Sequence, residues 1–100
     1  MSLLTLERDT VEVAGVRVRS LTAGEQIDLD MAMKSAGDDV RKLLVVQLAA
    51  YVCDDAGNAA LTAEEAGRVI DLRKPSTVKA ILEAAGKLNG WGNPEAIRGN

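Results

Sequence analysis

The sequence predicts an α+β fold, mainly α. An N-terminal β-hairpin (about 10–20) precedes a four-helix, bundle-like arrangement (about 23–36, 39–53, 62–72 and 76–89) and a flexible C-terminal tail. Three observations predict it. Residues 10–20, "TVEVAGVRVRS", alternate apolar and polar side chains about a central Ala-Gly. Two Thr-x-x-Glu boxes, "TAGE" at 22–25 and "TAEE" at 62–65, stand ahead of apolar stretches. The apolar residues are mostly small and aliphatic, with no Phe, one Trp and one Tyr, which suits closely packed helices. At 100 residues the chain is near the size of one hydrophobic core, so 1–90 is expected to be a single globular domain and 91–100 a mobile tail.

The hairpin follows from pairing Val13 with Val16 across Ala14-Gly15. That register sets Glu12 opposite Arg17 and Val11 opposite Val18. One face then carries Val11, Val13, Val16 and Val18, and the other a Glu-Arg pair flanked by Thr10 and Arg19. A lone hairpin is marginal in water, so the valine face must dock on something.

Thr22 and Glu25 form a capping box, in which each side chain satisfies a free backbone N–H at a helix start. The helix it opens, about 23–36, stops at Gly37. It shows two thin apolar strips, Ile27 with Met31 and Leu29 with Met33, so its inward face is ambiguous. Residues 39–53, "DVRKLLVVQLAAYVC", are apolar nearly all round, the mark of a buried central helix. The second capping box opens a helix through about Leu72. Pro75 disfavours helix at Lys74 and can itself start the next helix. In that last helix, about 76–89, Val78, Ile81, Leu82, Ala85 and Leu88 share a face, opposite an i,i+4 ladder of Lys79, Glu83 and Lys87. Asn89-Gly90 is its stop.

Composition excludes several kinds of chemistry. With no histidine, the commonest general base and zinc ligand are missing. A net charge of −3 without a Lys/Arg cluster lacks the footprint of nucleic-acid binding. The single cysteine, Cys53, has no internal disulfide partner and reads as a small buried hydrophobe in a reducing compartment. The opening "MSLLTLERD" meets polar and acidic residues early, and the longest apolar run, 43–53, is short for a bilayer; neither export nor a membrane span is expected.

One stretch imitates a metal site. Asp54, Asn58, Thr62 and Glu65 fall at positions 1, 5, 9 and 12 of an EF-hand register. Positions 3 and 6 are Ala56 and Ala59, where calcium needs a ligand and a glycine. The residues 55–58 therefore read as a turn, "AAL" (59–61) as a short extended segment, and Thr62 and Glu65 as a helix cap. Asp54-Asp55 and Glu64-Glu65 are ordinary acids near a turn and a helix start. No catalytic, cofactor-binding or metal-ligating residues are assigned and no cofactor is expected. A role in protein contact remains.

Three segments in order, "VRVRSLTAGEQ" (16–26), "LAAYVCDDAGNAALTAEEAGRVIDL" (48–72) and "AAGKLNGW" (84–91), resemble the tail assembly chaperones of long-tailed bacteriophages. That family is similar in its valine-rich strand, R-x-L-T-x-G-E, a helix ending in Cys-Asp-x-x-Gly-Asn, a capped helix, and a final helix closing on Leu-Asn-Gly. The resemblance implies a non-enzymatic chaperone of a phage or prophage, acting in the host cytoplasm and absent from the mature virion. It implies the tape measure protein and the tail tube protein as partners, neither nucleic acid nor membrane, and self-association along the client. Relatives commonly have a longer form made by ribosomal frameshifting; "GNPEAIRGN" (92–100) lies where that junction would fall, and Gly86-Lys87 is the kind of dipeptide a slippery codon run can encode. Two departures stand out: "RKPSTVK" (73–79) is more basic than the family pattern, and aromatic residues are fewer. The partner-binding candidates are Val16 and Val18 on the hairpin, Ile27 and Met31 on the first helix, and Trp91. A competing class is a small phage- or prophage-encoded regulatory or inhibitory protein that binds a host factor.

Overall fold

The computed structural model describes residues 3–90. Two strands come first, β1 (Thr10–Val13) and β2 (Val16–Arg19), then helices α1 (Ala23–Ala36) and α2 (Val40–Tyr51). A two-residue strand β3 (Val52–Cys53) leads to α3 (Ala63–Leu72) and α4 (Pro75–Leu88). The mainly helical α+β expectation and all four helices stand. The tail 91–100, with Trp91, lies outside the described residues.

The hairpin register is the expected one, Val13 opposite Val16, Glu12 opposite Arg17 and Val11 opposite Val18. Ala14 and Gly15 both have positive φ, 51° and 80°, as a type I′ turn requires for its twist to match that of the strands. The valine face docks on α4. Val18 is fully buried and Val13 and Val16 pack at the edge of the core, while Val11, at the outer end, stays 40% exposed.

Two features depart from expectation. The second helix ends at Tyr51 rather than at 53, and Val52–Cys53 extends the sheet antiparallel to β2, with Arg17 opposite Cys53 and Val18 opposite Val52. The unpaired edge of β2 needs hydrogen-bond partners, and a β-branched valine supplies them better in a strand than at a fraying helix end. The sheet order is therefore β1-β2-β3. The second departure is Arg19, placed by alternation on the polar face and found only 8% exposed.

Helix α2 is the central element, touching α1, α3 and α4. It is less enclosed than its sequence suggests: Leu48 and Tyr51 are buried, but Val40 is exposed. The ambiguity of α1 resolves onto the strip of Leu29, which is buried, and Met33, which packs against the core. Burial of Val78, Ile81 and Ala85 fixes α4. These side chains join Val18, Leu29, Leu48, Tyr51, Val52 and Ala66 in one cluster.

Ala14 is the one non-glycine residue with positive φ among those described, a conformation that costs L-residues about 1–2 kcal/mol. Ala14→Asn or Ala14→Gly should relieve most of that and raise the Tm by about 4–8 °C, the shift expected for about 1 kcal/mol in a domain this small. Thermal unfolding followed by far-UV circular dichroism measures it, and an unchanged or lower Tm would show an unstrained turn.

Candidate functional site

The residues that stand out in the sequence meet at one junction. Glu25, at the third position of α1, accepts from the Thr22 backbone N–H at 2.9 Å, while its own N–H donates to Thr22 Oγ1 at 3.2 Å. The same carboxylate accepts two bonds from the Arg8 guanidinium, at 2.6 and 3.0 Å, and lies 3.4 Å from Arg19 Nη1. Arg8 also donates to the Ser20 carbonyl, and Arg19 donates to the carbonyls of Ala50 and Gly57 at 2.9 and 3.2 Å. From the far end of the chain, Asn89 Oδ1 accepts from the Leu21 N–H at 2.8 Å, and its amide donates to the carbonyls of Ala85 and Arg19. Two guanidinium groups against one carboxylate hold the Glu25 carboxyl down to about 2, with the Arg8 hydrogen bonds the largest cause. These groups are structural. Most of their donors and acceptors are used within the fold, which leaves little for a substrate.

The calcium-like loop is likewise committed to its own backbone. Asp54 Oδ1 accepts from the N–H groups of Ala56 and Asn58, and the Asp54 N–H donates to the Asn58 carbonyl. Gly57 turns the chain at φ 82° with the Arg8 side chain packed over it, so that an added Cβ would meet Arg8 Cγ at 3.2 Å. A bridge between Cys53 and Ala59 then returns "AAL" to the sheet as the extended segment expected there. Glu65 caps α3 in the second capping box, Glu64 pairs with Arg68 at 3.1 Å, and Asp55 lies 3.6 Å from Arg17. Burial pushes the Cys53 thiol up, away from the reactive thiolate. Among the described residues no group of three or more Cys, Asp or Glu is placed to hold a metal ion, and no helix is long and apolar enough to cross a membrane.

What the molecule offers instead is surface. Ile27 and Met31, one turn apart on the outward strip of α1, are 59% and 64% exposed. Of the other partner-binding candidates, Val16 is half-buried, and Trp91 lies outside the described residues. Val18 is a correction: at 0% exposure it is core, because β3 and α4 close over the strand that carries it. Its replacement would test folding rather than binding.

A second surface was not foreseen. An open groove of about 800 Å³ runs between α2, α3 and α4. Leu44, Ile70, Pro75, Val78, Leu82 and Gly86 supply its floor and walls, and Arg73, Lys79, Glu83 and Lys87 its rim. Helical spacing shows that Val78 and Leu82 share a face, but not that Leu44 and Ile70 come to lie opposite. The basic run "RKPSTVK" was the available signal.

No protein-family model matches the chain, and no curated protein matches it. Among solved structures it is similar to the tail assembly chaperone of bacteriophage HK97, at 20% identity and a TM-score of 0.49, covering 88% of this chain and 86% of that one.

Because the Glu25 pKa is depressed on folding, its contribution to stability is complete above its ordinary value of 4.5 and is lost as pH falls through about 2. Glu25→Gln keeps an acceptor for the cap but leaves two arginines without their counter-charge, and should cost about 3 kcal/mol at neutral pH. The stability gap between wild type and Glu25→Gln should narrow steadily from pH 4.5 towards 2 in urea titrations. A gap constant over that range would assign the loss to packing rather than charge.

Proposed function

We propose that this chain is a non-enzymatic phage tail assembly chaperone that binds the tape measure protein in the host cytoplasm and helps recruit tail tube subunits. The observation that carries this reading is the convergence of the three segments that bear the family resemblance. Residues 19–25, the turn at 54–58 and Asn89 are far apart in the sequence and are joined by one hydrogen-bonded junction. Their order and spacing thus act as a single architectural signature rather than as separate coincidences.

The surface supports the role. A chaperone for a long helical client needs apolar area that stays soluble when empty, and needs no reactive groups. Exposed Ile27 and Met31 form a narrow strip with Asp28 and Asp30 beside it, small enough not to drive aggregation yet able to meet an apolar stripe on a helix. The acids and arginines of the junction, of the 54–58 turn and of the α3 cap are engaged in caps, turns and ion pairs, consistent with adhesion rather than catalysis.

Co-expression with a tape measure fragment tests this directly. Wild-type protein should co-purify with the fragment and keep it soluble. The double variant Ile27→Ser with Met31→Ser should retain at least about tenfold less, as expected when exposed anchors at an interface are truncated. Its circular dichroism should be unchanged, because neither side chain is in the core. Failure of the wild-type protein to hold any tape measure fragment would overturn the reading.

A further inference from the structure

We infer that the groove between α2, α3 and α4 is a second seat, one that takes an amphipathic helix with acidic residues flanking its apolar stripe; the inference rests on the chaperone reading and gives its client a definite chemistry. The shape argues for a helix. From Pro75 to Gly86 the α4 wall is about 16 Å long at 1.5 Å per residue, or three turns. Side chains at i, i+4, i+7 and i+11 of a facing helix span that length, and hydrocarbon from Leu44, Ile70, Val78 and Leu82 receives them. The trough is open along its side, which admits a rod rather than enclosing a small molecule.

The charge argues for acidic flanks. The chain as a whole carries −3, yet this rim holds Arg73, Lys79 and Lys87 against a single acid, Glu83. Lys79 lies 3.8 Å from Glu83, and Arg73 and Lys87 make no ion pair among the described residues. An acidic protein with a locally basic rim around an apolar trough attracts negative residues to that rim and repels a helix with basic flanks.

Two fluorescein-labelled synthetic helical peptides with the same leucine stripe, one flanked by Glu and one by Lys, test this by fluorescence anisotropy. The wild-type protein should bind the Glu peptide at least about tenfold more tightly than the Lys peptide, and the preference should shrink with added salt. Lys79→Glu with Lys87→Glu, both at exposed positions, should invert the preference without loss of helicity. Leu82→Glu should abolish binding of both peptides, whereas Ile27→Ser with Met31→Ser should leave it intact. Equal binding of the two peptides, or indifference to charge reversal, would overturn the inference while leaving tape measure capture by wild type to stand or fall separately. A wild-type dimer in sedimentation that Leu82→Glu dissolves would also overturn it, by making a second copy the occupant.

Discussion

The carboxylate of Glu25 is the point on which the rest of the structure depends. It caps α1, it receives the Arg8 fork from the N-terminal segment, and it faces Arg19 at the end of β2. Arg19 extends the connection to the last turn of α2 and to the loop before α3. Asn89 closes it from the end of α4. A half-buried carboxylate without partners would carry a large desolvation cost; here each oxygen has donors, so the cost is offset and the geometry is specified. A fold whose core is mostly valine, leucine, isoleucine and alanine around the single Tyr51 has few large side chains to dictate how elements are oriented. The polar junction supplies that direction.

Much of this fold was legible because its signals are local. The hairpin register, both capping boxes and the stop at Gly37 rest on partners within a few residues, where spacing alone determines who can meet. What was not legible depends on separation. Arg19 reaches carbonyls 31 and 38 residues away, and Asn89 bonds a backbone N–H 68 residues away. Alternation correctly assigned Arg19 to the face opposite the valines, but could not show that this face would also be covered. Strand β3 is two residues long, too short to carry any periodicity, and was absorbed into the helix before it. The groove arises from three helices whose faces can each be read singly, whereas their meeting cannot.

The division between interior and exterior is instructive about function. The residues that most resemble a catalytic or metal-binding constellation, Asp54, Glu65, Cys53 and the arginines around Glu25, are those the fold consumes. Among the residues left exposed are the apolar Ile27 and Met31 on α1 and the basic residues around the α4 groove. Adhesion needs such remainders. They carry no distinctive motif, which is why a search for chemistry along the sequence returns turns and caps, whereas the working surface emerges only from burial.

The passage from Tyr51 directly into Val52 has a mechanical consequence. No residue intervenes between the last turn of α2 and the strand that follows it, so helix and sheet share one stretch of backbone with no loop between them. An inserted residue within α2 would rotate everything after it by about 100° about the helix axis and detach Val52 from Val18. A change of length is therefore borne more easily at a joint such as Gly37–Asp39 than within the α2–β3 unit.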